Sequence, residues 1–288
     1  MSIRLDRGAV FEPSELGRRR DDLATALREL RRASGLTGDR LAARSGISQS
    51  KISKIETGKV LPSAVDVERI LRALNASPDM IEEITSLTRL ANTQFQDWRS
   101  TLRRGLRHRQ RELAAIEADS TELRYFLPTM ITGLLHTPEY ARASLAGNPG
   151  DLTQAIAKRL ERQAVLYDRS KSFTFVLTEA AVRWPLCPAD VMAVQLGRLA
   201  SLAVLPNIRL GVIPVAQPHL PEGPLSTFTV YDSRLATAEV FAGAIIMRDP
   251  RDIAYHRELF SLFVSYARFG DEAIALLTQW AEEFRHGS

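Results

Sequence analysis

Between Gly35 and Ser63 the chain reads GLTGDRLAARSGISQSKISKIETGKVLPS, two short helical patterns, Asp39 to Ser45 and the stretch that Ser48 opens, separated by a turn at Gly46. Thr37 and Ser48 each suit an N-cap, where a side-chain oxygen accepts an orphan backbone N–H at a helix start. Two helices so closely joined make a helix-turn-helix. At about 100° per residue, Ile52 and Ile55 fall on one side of the second helix, and Gln49, Ser50, Ser53 and Lys54 on the other. The apolar pair must face protein, so the polar four face outward, with Lys51 on the flank. Gln and Ser can hydrogen-bond base edges, and Lys reaches guanine or phosphate.

The segment from about Leu23 to Leu74 is similar to the helix-turn-helix domain of the Xre and phage-repressor group, with LAARSGISQSKISKIETGK filling helix 2, the turn and the recognition helix. The resemblance implies five short helices. It implies base contacts from Gln49, Ser50 and Lys54 and phosphate contacts from Thr57 and Lys59. Ser48, Lys51 and Ser53 complete the candidate DNA-binding set. In related domains a Glu at the position of Glu56 pairs with an Arg near the end of helix 1, here Arg31. One departure is Gly38, where the family often has a backbone-touching Gln. Leu23, Leu27, Leu30, Leu41, Ile47, Ile52, Ile55, Ile70, Leu71 and Leu74 recur at helical spacing and are read as core only.

The motif uses under a third of 288 residues, a length that suits two domains. Charge divides the same way: residues 1–111 hold 22 Lys plus Arg against 14 Asp plus Glu, and residues 112–288 hold 16 against 20. A basic front and a mildly acidic rear fit a phosphate-binding head on a body with another task. The expected organisation is a flexible arm at 1–15, in which Arg4 and Arg7 read as an untethered terminus rather than a DNA-touching arm, a helix-turn-helix domain at 16–90, a connecting helix at 91–117, and a regulatory and dimerisation domain at 118–288. The connecting helix rests on Phe95, Trp98, Leu102, Leu106, Leu113 and Ile116, which are compatible with one helical stripe. Its arginines, Arg99, Arg103, Arg104, Arg107, Arg109 and Arg111, read as a solvated or inter-subunit face, or else as an extension of the DNA footprint.

Three runs, residues 111–143 (RELAAIEADSTELRYFLPTMITGLLHTPEYARA), 159–169 and 173–184, resemble the uncharacterised C-terminal domain that actinomycete regulators carry behind this helix-turn-helix. Such regulators act in development and secondary metabolism, often with a small antagonist protein encoded nearby, and some are antitoxin-like. Here Thr132 stands where Pro commonly precedes Gly-Leu-Leu, and His136 where Gln is common. Short β-branched or aromatic runs at Phe173 to Thr178, Ile208 to Pro214, Ser226 to Tyr231 and Thr237 to Phe241 read as strands. Helical patterns lie at Pro138 to Leu145, Leu152 to Tyr167, Pro188 to Ala203 and Asp249 to Phe284, the last broken at Gly270. The Pro-rich stretch Pro214 to Pro224 reads as a lid or a surface crossing. The fold class is therefore α+β, an all-α head and a mixed body with a small sheet packed by helices.

A single cysteine, Cys187, permits no disulfide framework and no Cys-based metal site, and no apolar run spans a membrane, so the expected setting is cytoplasmic and nucleoid-associated. No HExxH, GxSxG, P-loop or GxGxxG motif stands at a useful location, so no enzyme, cofactor or metal is expected. The favoured reading is a dimeric transcriptional regulator on a palindromic double-stranded DNA operator, its body receiving an unknown small-molecule ligand or a partner protein. Two alternatives stay open. One is an antitoxin-like protein that binds a small partner and autoregulates. The other is an enzyme fused to a DNA-targeting head, for which Glu179 and Glu239 are the carboxylates to test.

Overall fold

The computed structural model describes residues 13–148, 152–216 and 221–287. Most of the expected N-terminal arm, residues 1–12 with Arg4 and Arg7, lies outside the described residues, as do 217–220 of the Pro-rich stretch. Residues 13–15 of that arm belong to the first helix. The chain forms two compact units, Met1–Phe95 with Met247–Asp249, and Gln96–Ile246 with Pro250–Ser288. We call them head and body.

The head is helical: α1 (Pro13–Ala33), α2 (Gly38–Ser45), α3 (Gln49–Glu56), α4 (Ala64–Ala73) and α5 (Pro78–Asn92). Local signals set its boundaries. Thr37 accepts the N–H of Arg40 and Ser48 that of Lys51, each at 3.3 Å. Gly46, at φ +67°, ends α2 in the left-handed region and returns its N–H to Ala42. Ser63 and Asp66 form a reciprocal capping box at the start of α4. Leu23, Leu27, Leu41, Ile47, Ile52, Ile55, Val67, Ile70 and Leu71 form one buried cluster, with Leu30 and Leu74 packed against it.

The stretch expected as one connecting helix is divided. It contains the end of α5, a strand β1 (Thr93–Asp97), and helices α6 (Trp98–Arg104) and α7 (Leu106–Ala118). Gly105 separates the two helices at φ +90° and ψ 139°, which is not helical and is accessible mainly to glycine. Asp97 caps α6 by accepting the N–H of Ser100 at 2.8 Å. An apolar stripe with no proline therefore misreported continuity, because its period survives a single left-handed residue.

The body is built on β2 (Glu122–Leu127), β3 (Ser172–Thr178), β4 (Ile208–Ile213), β5 (Thr227–Tyr231), β6 (Leu235–Val240), β7 (Gly243–Met247) and β8 (Arg268–Phe269). The strand order is β1-β7-β6-β5-β2-β3-β4-β8, so the sheet is eight-stranded rather than small. Its centre, β2-β3-β4, is parallel, while β5, β6 and β8 run antiparallel to their neighbours. Rows such as Tyr125, Phe175 and Leu210 put one face of the sheet into the main core.

The helices of the body are α8 (Pro138–Leu145), α9 (Thr153–Arg162), α10 (Glu179–Arg183), α11 (Ala189–Leu202), α12 (Pro250–Tyr266) and α13 (Asp271–His286), with short 3-10 turns at Gly133–Leu135 and Gln163–Tyr167. Met192, Leu196, Leu199, Leu277 and Trp280, from α11 and α13, cover that core face. On the opposite face Phe126 stacks on Phe263 of α12, with ring centroids 3.9 Å apart. This is an α+β architecture.

Candidate nucleic-acid interface

In the head, α3 buries Ile52 (2 %) and Ile55 (1 %) and leaves Gln49, Ser50, Ser53 and Lys54 exposed. An ideal Cβ at Gly38 would lie 3.8 Å from Gln49 Nε2, so the Gln49 amide reaches back along the start of α2 with room to move. The helix is oriented by an ion pair. Arg31 donates from Nε to Glu56 Oε1 at 2.6 Å and from a second nitrogen to Oε2 at 2.8 Å, and its third nitrogen donates to the carbonyl of Leu36 at 3.0 Å. That fork joins the end of α1 to the inner edge of α3.

The remaining candidates differ in how free they are. Ser48 is the N-cap itself. Lys51 donates to Asp66 Oδ1 at 2.9 Å, which uses one of the three ammonium hydrogens and leaves the others toward solvent. Burial would raise the Asp66 carboxyl, but the bonds from Lys51 and Ser63 outweigh it and hold the group below its ordinary value. The Thr57 hydroxyl donates to the carbonyl of Ser53 at 2.8 Å, so its single hydrogen is committed within the helix end. Lys59 is exposed on the loop beyond.

Sequence reasoning missed what holds the start of α4. The N–H of Ala64 donates at 2.9 Å to Asp249 Oδ2, and Asn92 Nδ2 donates to the carbonyl of Pro62 at 2.8 Å. Asp249 is 0 % exposed and lies 185 residues from its partner. No local signal marks such a contact.

The arginines of 99–111 do not form one open stripe. Arg104 lies 3.3 Å from Glu112, Arg107 donates to Gln154 at 2.9 Å, and Arg109 donates to Gln96 at 2.9 Å. Glu179 pairs with Arg183 at 3.1 Å and accepts the N–H of Val215 at 2.9 Å. Glu239 is half-exposed, 4.0 Å from Arg109. Among the described residues no group of three or more His, Cys, Asp or Glu is placed to hold a metal ion, and no helix is long and apolar enough to cross a membrane.

The body also holds a cavity of about 450 Å³, walled by residues of α7, α9, β2, β5 and β6 and by the turn at Gly133. Its polar wall is buried. Glu117 (1 % exposed) accepts from the Tyr125 hydroxyl at 3.2 Å and lies 3.3 Å from Arg162 Nε. Burial pushes the Glu117 carboxyl up, against the pull of Arg162, Tyr125 and Arg109. Arg159 donates to Ser144 at 2.8 Å and lies 3.3 Å from His136 Nδ1.

His136 Nε2 sits 2.9 Å from the carbonyl of Ile131, which can only accept, so Nε2 carries the proton and Nδ1 is the acceptor toward Arg159. Burial first, then the Arg159 charge, lower the imidazole from 6.5 to about 3. The ring is therefore neutral at physiological pH. Below pH 6.5 the unfolded chain takes up a proton that the folded chain refuses until about 3, so stability is lost as pH falls through that window. His136→Gln is expected to flatten the acid limb of the stability profile, read from denaturation midpoints between those values. An unchanged slope would mean that His136 titrates alike in both states.

The fold and the α3 surface define a protein with a DNA-binding helix-turn-helix head and a separate α+β body. Residues 22–84 match the model described as a helix-turn-helix domain. Residues 110–279, more than half of the chain, match the one described as Domain of unknown function (DUF5753), and the chain belongs to that family. No curated protein matches it. Among solved structures, Nuc, a phospholipase D family member from Salmonella typhimurium, is 12 % identical with a TM-score of 0.32 over 56 % of this chain and 90 % of that one. TrmBL2, titled an archaeal chromatin protein with a novel mode of DNA binding, is 12 % identical with a TM-score of 0.31 over 70 % of this chain and 66 % of that one. At these scores neither likeness bears on function.

Proposed function

We propose that this protein is a sequence-specific transcriptional regulator of the Xre type found in actinomycetes, acting as a dimer on a palindromic operator, with a body that dimerises and receives a signal. The carrying observation is the division of α3, whose Ile52 and Ile55 are buried while Gln49, Ser50, Ser53 and Lys54 face solvent. A single recognition helix touches only a few base pairs, too few to mark one site in a genome, and a two-fold pair reading half-sites about 34 Å apart supplies the rest. In this reading the body senses rather than catalyses. In support, Glu179 is occupied by Arg183 and Val215, and burial and then Asp190 push the Cys187 thiol up, away from the reactive thiolate.

Binding to the operator selected from genomic DNA tests the reading. Gln49→Ala should weaken the specific complex by about 1–3 kcal/mol and random DNA little, whereas Lys59→Ala should weaken all sequences alike and reduce the salt slope by about one unit. Equal losses from Gln49→Ala on both DNAs would remove Gln49 from base reading, and an unchanged salt slope would remove Lys59 from the phosphate contacts. A monomer at micromolar concentration, free and on the operator, would overturn the dimer.

A further inference from the structure

Five of the nine buried side-chain polar atoms that lack a hydrogen-bond partner among the described residues line the body cavity: Gln110 Oε1, Glu117 Oε2, Arg159 Nε, and Nε and Nη1 of Arg162. Such concentration is unusual, since buried donors are normally satisfied, and an unsatisfied charged one is the most costly kind. The two arginines stand three residues apart on α9 and so share a helix face. Both converge on the turn at Gly133, where an added Cβ would sit 3.1 Å from Arg159 Cδ and Nε and from Arg162 Nη2. A side chain there would press both arginines back by a few tenths of an ångström.

The wall holds two arginines, Arg159 and Arg162, against two carboxylates, Glu117 and Glu239, but the pairing is uneven. Glu117 answers Arg162, whose side chain is 4 % exposed, although the 3.3 Å approach is off hydrogen-bond alignment. Glu239, on the rim and 58 % exposed, faces Arg109. Among the described residues Arg159 has no ion-pair partner; it rests on Ser144 and on the neutral ring of His136. Burial and then the like charge of Arg162 draw Arg159 down to about 10, against a smaller opposing pull from the Glu239 charge, so it is still cationic at neutral pH. Leu127, Ile131 and Val240 supply apolar lining, and Phe241, also in the lining, is fully exposed.

We propose that this cavity binds a small organic anion, its carboxylate or phosphate held between Arg159 and Arg162, its apolar frame against Leu127 and Ile131, and a hydroxyl or N–H of the ligand donated to Gln110 Oε1. The volume suits a ligand of one or two rings. The unpartnered guanidinium nitrogens, Nε of Arg159 and Nε and Nη1 of Arg162, supply charged, directed donors from two side chains to one oxyanion. This deepens the reading of the body as a signal-receiving domain and rests on it for its biological meaning.

The test titrates the full chain with 4-hydroxybenzoate, phenyl phosphate and uncharged 4-hydroxybenzamide by calorimetry, with a gel shift on the same samples. At least one of the two anions should bind at ~10 mM or below, the amide about tenfold more weakly, and Arg159→Gln should weaken the anion about tenfold. Which anion binds distinguishes a carboxylate from a phosphate ligand. The Nε–H resonances of Arg159 and Arg162 in the unmutated chain should shift on saturation, a readout that survives a poorly folding variant. No anion binding at ~10 mM, equal binding of the amide, or unmoved Arg159 and Arg162 resonances would overturn the site. DNA binding that persists without anion binding sinks this inference alone, whereas anion binding by a chain that binds no DNA sinks the regulator reading and leaves the cavity standing.

Discussion

Glu117→Ala should destabilise the body by about 3–5 kcal/mol, because it leaves the Arg162 guanidinium buried without a counter-charge. The size follows from burial: the two side chains are 2 % and 4 % exposed, so water cannot take over the lost partner. The pair itself need not be stabilising, since burial already raises the Glu117 carboxyl against the attraction of Arg162. Replacing both partners with leucine should therefore recover most of the loss. The raised carboxyl also sets a sign: its contribution is full below the unfolded value and is lost as pH rises through the folded one. Urea denaturation of the single and double variants checks this. A Glu117→Ala loss under about 1 kcal/mol would show that the pair is solvated or that Arg162 finds another partner.

Glu56→Ala is the second large effect, about 3 kcal/mol in the head. The fork from Arg31 is bidentate at 2.6 and 2.8 Å, with the side chains 17 % and 12 % exposed. Its loss would strand a guanidinium held at the Leu36 carbonyl and release the inner edge of α3. Stability should fall before specificity does, since the Glu56 side chain is 12 % exposed and held by Arg31, whereas Gln49, Ser50 and Lys54 are exposed. The discriminating measurement is operator preference at low temperature beside the thermal midpoint of the head. A variant as stable as the parent would reduce the pair to a surface contact.

The helix-turn-helix was legible because everything that makes it lies within a few residues: caps at Thr37 and Ser48, a left-handed Gly46, and Ile52 and Ile55 three apart. Several body elements were legible for the same reason. Pro138 opens α8, β-branched runs mark β3 and β4, and Gly270 parts α12 from α13. The Arg31 and Glu56 pair came from a resemblance rather than from spacing, since 25 residues separate the partners.

Composition and periodicity carried no trace of five other features. The stripe of 92–117 kept its apolar period while Gly105 turned the chain, and the six residues of β2 were not among the runs read as strands. Lys51 looked like a flank for DNA and also holds Asp66. Asp249 caps α4 from 185 residues away, and Glu117 meets Arg162 only once α7 and α9 pack together. Hydrogen bonds and side-chain faces between near neighbours are fixed by backbone geometry, so the sequence alone determined the head, the exposed polar face of α3 and the positions of many strands and helices. Which buried charge meets which, and what cavity they enclose, depends on the closing of long loops around a shared core, and only the tertiary structure decided it.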